Sequence, residues 1–163
     1  MRMAQPIISE ITVEALPAEA FARFVGDMGR WWPMAYSRGG ARFVTVHVEP
    51  VAGGTWFEVD SDGAESPWGD VRAYDPGHRL VVGFNVASDR GVEPLERQSE
   101  VEFRFEPAGE GTRVTVEHRN LDRHGDGAEA IRQGMASDHG WPLILASFAR
   151  ELRFPRAAPL SAS

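Results

Sequence analysis

Hydrophobic and polar residues alternate from the seventh position of the chain. In "IISEITVEA", Ile7, Ile11 and Val13 fall on one face and Glu10, Thr12 and Glu14 on the other, the period-two pattern of a half-buried strand. The period then lengthens. In "LPAEAFARFVGDM", Ala20, Phe21, Phe24, Val25 and Met28 share one helical face. Pro17 suits the first helical position and Glu19 the first turn. "GRWWPMAY" is too short and too punctuated for more than a turn of helix with a loop. Six further strand runs follow: "ARFVTVHVEP", "GGTWFEVD", "SPWGDVRAY", "HRLVVGFNVA", "QSEVEFRFEP" and "TRVTVEHRNL". Turns rich in Pro, Gly and Asp separate them, which marks an antiparallel meander. After Leu121 the helical period returns, with Ala128, Ile131 and Met135 and then Leu145, Phe148 and Leu152 on one face. A terminal helix over about residues 126–153 is predicted. Pro142 has no N–H to give the carbonyl of Asp138, so that helix is expected to bend or break within Ser137–Pro142.

This order predicts an α+β fold with seven antiparallel strands in one curved sheet. The sheet must bury one face, and only the C-terminal helix is long enough to cover it. A curled sheet leaves a space against that helix, the kind of space in which small ligands sit. At 163 residues one domain is expected. With no cysteine, disulfides, zinc-thiolate sites and thiol catalysis are excluded. With no lysine, Schiff-base chemistry and a P-loop are excluded as well. The net charge of -7 argues against nucleic acid and anionic membranes as partners, and no apolar run reaches transmembrane length. The first residues lack the apolar core of a signal peptide, so a cytoplasmic protein is expected. The tail "PRAAPLSAS", residues 155–163, is expected to be disordered.

Four segments, "RWWP", "GGTWFEVDSDGAESPWGDVRAYDPGHRLVVGF", "GTRVTVEHRNLDRHGDGAEAIR" and "GWPLILASFA", together resemble the bacterial branch of the family named after the activator of the heat-shock-protein-90 ATPase, in the START-like (SRPBCC) superfamily. The resemblance runs over roughly residues 7–152 with the motifs in order. It implies the helix-grip fold, a curved antiparallel sheet wrapped around a long C-terminal helix, as one START-like domain over residues 1–154. Its members bind lipids, sterols, hormones and polyketides, and a few catalyse, so the fold alone does not fix the function. The co-chaperone activity of eukaryotic members goes with an additional N-terminal domain and is not carried over. A homodimer is compatible with the resemblance.

Candidate residues follow from both readings. Trp31 and Trp32 lie between the first helix and the second strand, near the cavity in the family, where they line it or plug its end. Trp141 is a core anchor or a lining residue at the helix kink. Alternation puts Trp68, Asp70, Arg72 and Tyr74 on one strand face and Gly69, Val71 and Ala73 on the other, unless a bulge at Gly69 turns Trp68 inward. The family groups Glu58, Glu65 and Trp68, which reads as a structural cluster joining the third and fourth strands. Glu58 and Glu65 could divide acid and base roles; Arg72 is a nearby cation to satisfy them. His118 alternates with Val114 and Val116, so it faces inward, as a satisfied core histidine or as an anchor at the cavity floor. His124 is expected to cap or order the loop entering the last helix. The spacing of His118, Asp122 and His124 fits no helical pair of metal ligands, and neither a metal nor a cofactor is expected. No serine stands clearly beside a histidine, and neither a nucleophile elbow nor a dinucleotide fingerprint is present.

The first expectation is therefore a binding module for a small hydrophobic ligand, lined by Trp31, Trp32, Val71, Phe84, His118, Met135 and Trp141. An enzyme of the same fold, a cyclase, hydrolase or dehydratase using Glu58, Arg72 and His118, is the second. A protein-interaction module using the outer sheet face is the third. The interior discriminates them. A dry apolar cavity favours binding, convergent ionisable groups favour catalysis, and a filled interior with an apolar outer patch favours interaction.

Overall fold

The computed structural model describes residues 5–87 and 91–154. The tail expected to be disordered lies outside the described residues. Strand β1, Ile7–Val13, leads into helix α1, Pro17–Gly26, and the single turn α2, Met28–Trp31. Strands β2 (Phe43–Val48), β3 (Thr55–Asp60), β4 (Glu65–Asp75), β5 (Arg79–Phe84), β6 (Ser99–Ala108) and β7 (Gly111–Arg119) follow, then helices α3, Ala128–Ala136, and α4, Trp141–Arg153. The seven strands form one antiparallel sheet in the order β1-β7-β6-β5-β4-β3-β2. β1 returns to pair with β7, Ile7 opposite His118 and Val13 opposite Thr112. The sheet curls into a half-barrel around the helices, the α+β curved sheet that the patterning predicts and the helix-grip architecture that the resemblance implies.

Register shifts cluster in one half of the sheet. They fall between Phe43 and Thr45, at Trp68 opposite the step from Trp56 to Phe57, and between Val71 and Ala73. Each extra residue increases local twist and bends its strand. Trp68 is the extra residue of the middle shift. It is therefore buried along with its neighbours Gly69 and Val71, and strict alternation fails there. Gly69 is required by the same feature. A Cβ at this position would overlap the carbonyl oxygen of Gly83 on β5, so the glycine makes room for a neighbouring backbone rather than for a ligand.

The terminal helix breaks where expected, though the cause is not the proline clash alone. Ser137 leaves α3 in an extended conformation and Gly140 precedes α4, which places Trp141 and Pro142 in the first turn of a new helix. There a missing N–H costs nothing, because the first-turn donors have no intrahelical acceptor. α4 buries Trp141, Ile144, Leu145 and Phe148. Phe148 meets Phe24 of α1 with ring centroids 5.0 Å apart and Trp31 at 5.2 Å; Phe24 reaches Phe103 of β6 at 4.8 Å. The space between the sheet and the first half of α4, expected to be a cavity, is thus filled with aromatic rings, while an open cleft of about 1160 Å³ lies between the C-terminal half of α4 and β1, lined by Ile11, Val13, Ala149 and Leu152.

The opposite face of β5–β7 carries an ionic ladder. Arg119 donates to Glu100, Glu102 and Glu117, and Arg72 donates to Glu100. Arg72 lies on this outer side and so cannot satisfy Glu58, contrary to the expectation from sequence. No described helix is long and apolar enough to cross a membrane.

Candidate functional site

A small cavity of about 90 Å³ opens on the α3 side of the half-barrel. Trp32, Trp56, Trp68, Phe84 and Met135 form its buried floor; Tyr36, Arg38 and Val86 form its half-buried rim. Trp32 precedes Pro33, which ends the α2 turn. Trp56, Trp68 and Phe84 are inward positions of three successive strands. The three indoles make a triangle, with centroids 5.1 Å apart for Trp32–Trp68, 5.0 Å for Trp56–Trp68 and 5.7 Å for Trp32–Trp56. Such a volume holds about three waters, or the edge of a flat ring, whereas closed pockets for larger ligands run from about 300 Å³ upward.

The indole N–H groups separate the tryptophans by role. Trp31 donates to the carbonyl of Phe24, Trp32 to that of Tyr36, Trp68 to Oε1 of Glu58 and Trp141 to Nδ1 of His118. Trp56 Nε1 is buried and has no acceptor among the described residues. A buried donor left without a partner costs about 1–3 kcal/mol, so the fold keeps an unsatisfied donor on a residue that lines the cavity.

Glu58 closes one side of the site. It is buried, and it accepts from the main-chain N–H groups of Arg38 (2.6 Å) and Gly39 (3.0 Å) as well as from Trp68 (2.7 Å). It therefore ties β3 to β4 and both to the rim loop. Glu65 stands exposed and apart from it, so the two carboxylates form no acid–base pair. The Arg38 guanidinium donates to the carbonyls of Pro67 and Gly91 and to Oδ1 of Asn85. Burial lowers its pKa, partly offset by the charge of Glu58.

Behind Phe84 lies a second polar group. The His118 ring packs 4.6 Å from the Phe84 ring, and the His124 ring 6.0 Å from it. Ser99 Oγ lies 2.7 Å from Nε2 of each imidazole, and His124 Nδ1 lies 2.9 Å from Oε2 of Glu93. Ser99, His118 and His124 are buried. The absence of a serine beside a histidine, expected from sequence, is corrected here. The β6–β7 register sets Val101 opposite His118, so Ser99 is its diagonal neighbour at the open end of one hairpin, 19 residues away along the chain. Burial, with a smaller contribution from His124, pushes the His118 pKa down to about 3. Burial also lowers that of His124, against the raising effect of Glu93.

Of the residues proposed from sequence, the structure brings Trp32, Phe84 and Met135 together on the cavity wall. Trp31, Val71, His118 and Trp141 do not line it; they are packed into the core behind it. Glu58 and His118 face inward and Arg72 outward, so these three do not converge. Sequence reasoning did not single out Trp56, Tyr36, Arg38, Glu93 or Ser99. For Trp56 a signal existed, since it alternates with Glu58. Among the described residues no group of three or more His, Asp or Glu side chains could hold a metal ion.

A family model described as Activator of Hsp90 ATPase homolog 1-like protein matches residues 19–153. A search of curated protein sequences finds no match. Among solved structures, the anthrahydroquino-gamma-pyrone synthase Txn09 is 32% identical with a TM-score of 0.64, over 92% of this chain and 99% of that one. CalC, a self-sacrificing resistance protein of Micromonospora echinospora, is 29% identical with a TM-score of 0.64, over 95% and 98%. The Aha1 dimer of Colwellia psychrerythraea shares the fold at 16% identity, with a TM-score of 0.64 over 94% and 100%.

Proposed function

The chain belongs to the family of Activator of Hsp90 ATPase homolog 1-like proteins, and from that premise we propose that it is a binding module for a small planar hydrophobic ligand. The ligand enters edge-first between Trp32, Trp56 and Trp68 and presents an acceptor oxygen to the indole N–H of Trp56. The single observation that carries this reading is the cavity floored by Trp32, Trp56 and Trp68, one of which, Trp56, keeps a buried indole N–H without a partner among the described residues. Aromatic faces suit a flat ring by offset or edge contacts, and an acceptor oxygen removes the cost of the orphaned donor. Likeness to Txn09 lends support, since that protein is named for a polycyclic aromatic compound bearing a pyrone. Because the cavity is small, the rim of Tyr36, Arg38 and Val86 must widen to admit a whole ring.

Calorimetric titration with naphthoquinone and with naphthalene tests the reading. The two probes have similar ring area, and only the quinone carries acceptor oxygens. Naphthoquinone is expected to bind more tightly. Trp56→Phe, which keeps an aromatic ring and removes the N–H, should weaken the quinone about fivefold more than it weakens naphthalene, the worth of one neutral hydrogen bond. Equal affinities for the two probes, or a Trp56→Phe variant that binds the quinone as the parent does, would overturn it.

A further inference from the structure

The proton positions along the buried chain behind Phe84 are fixed by groups that can only donate. Trp141 Nε1 is a pure donor, and it meets Nδ1 of His118 at 3.1 Å. His118 is thereby the tautomer with its proton on Nε2, and that N–H donates to Ser99 Oγ. The main-chain N–H of Ser99 meets Nε2 of His124 at 3.3 Å, which makes this nitrogen an acceptor. The His124 proton is then on Nδ1 and donates to Glu93, and the Ser99 hydroxyl donates to His124 Nε2. The chain runs in one direction, from Trp141 through His118, Ser99 and His124 to Glu93. Two imidazoles of opposite tautomer flank one hydroxyl: His124 withdraws its proton, while His118 presents a proton to its oxygen.

We propose that Ser99 is the nucleophile of an acyl-transfer site, with His124 as its base, Glu93 as the residue that positions that base, and His118 as a fixed N–H donor to developing oxygen charge. The substrate class is an ester, thioester or lactone of a planar ligand held in the adjoining tryptophan cavity, and to that extent the proposal rests on the binding reading above. Ser99 Oγ attacks the acyl carbon as its proton passes to His124 Nε2. The carbonyl π pair moves onto the carbonyl oxygen, which His118 Nε2–H can reach. When that pair returns, the bond to the alcohol or thiol breaks, and the leaving group takes the proton from His124. Water then attacks the acyl-serine with His124 again as base, and the carboxylic acid and free Ser99 are restored. The geometry is that of a serine–histidine–carboxylate arrangement. The serine sits at a strand end opposite Phe84 rather than on an elbow, which is why no local motif announces it.

Phe84 separates the two sites. It lines the cavity and also packs against both imidazoles. Ser99 has no exposed surface, so an acyl group reaches it when the Phe84 ring swings aside.

The full chain, treated with a small alkyl phosphonofluoridate and followed by intact and peptide mass spectrometry, provides the test. A single adduct on Ser99 is expected, absent from Ser99→Ala. Labelling should slow about 100-fold in His124→Gln, the scale of a lost general base, and quicken in Phe84→Ala. Glu93→Gln should move the pH midpoint of labelling downward, because the carboxylate no longer raises the His124 pKa. No Ser99 adduct in either the parent or a folded Phe84→Ala variant overturns the proposal, as does an adduct that survives Ser99→Ala. Naphthoquinone titration of the same samples separates the two readings. Binding without labelling removes this proposal alone, and labelling without binding removes the cavity reading.

Discussion

A methyl group added at Gly69 would overlap the carbonyl of Gly83, whereas one added at Gly134 in α3 would meet open space. The two glycines therefore predict opposite outcomes. Gly69→Ala forces β4 and β5 apart and should cost about 1–3 kcal/mol, as overpacking does. Gly134→Ala restricts the unfolded chain and suits a helix, and should stabilise by about 0.5–1 kcal/mol. Urea midpoints at constant slope check both. The same scale shows what the sequence could not reveal. Alternation places residues correctly only while register is kept, and the extra residue at Trp68 inverts it locally. Ser99, His118, His124 and Glu93 meet through strand pairing and a loop return, so no short-range pattern joins them.

At the level of elements, the break between α3 and α4 was legible because Gly140 and Pro142 are local signals. Its cause divides unevenly among them. Pro142 occupies the first turn of α4, so Pro142→Ala should change thermal stability by less than about 0.5 kcal/mol. A side chain at Gly140 would overlap the carbonyls of Gly134 and Met135, so Gly140→Ala should lower the melting temperature clearly. Similar effects from the two substitutions would contradict this division. The cavity was harder to read than the break. The space under the terminal helix is set by how completely Phe24, Phe103, Trp31 and Phe148 fill it, which depends on side-chain volumes meeting from four elements. Only the shorter α3 segment, through Met135, borders the cavity.

For the whole molecule, the buried histidines set the acid side of stability. Burial, then the neighbouring His124, holds His118 at a pKa of about 3 against 6.5 for the free side chain. The unfolded chain takes up this proton first, so the contribution is complete above about pH 6.5 and is lost as pH falls toward 3. Each unit of separation amounts to about 1.4 kcal/mol. His124 is shifted in the same direction and adds to the slope. Below the ordinary carboxylate range Glu100 joins them: desolvation works to raise its pKa, but Arg119 and Arg72 lower it on balance. The expected result is unfolding free energy that declines from pH 6.5 downward, with a shallower decline in His118→Gln. Equal slopes in parent and variant would remove His118 from this account. The seven-stranded antiparallel sheet and the helical C-terminal third with its break were foreseeable, because amphipathic periods are local; the return of β1 to pair with β7 was not read from the sequence. The electrostatic character of the interior was not, because it rests on which polar atoms end up facing each other.

The triangle of Trp32, Trp56 and Trp68 has an optical consequence. Indoles with centroids 5.0–5.7 Å apart and planes inclined by 47–82° couple their electronic transitions. The folded protein should therefore show a two-signed circular dichroism band that belongs to the set of three and not to any one ring. Replacing any one of the three with phenylalanine should collapse that band by more than a third of its amplitude, while Trp31→Phe, which removes only the 5.7 Å pair with Trp32, should reduce it less. The aromatic floor of the cavity thus acts as a chromophore in its own right, and its shape can be followed by light without attaching a label.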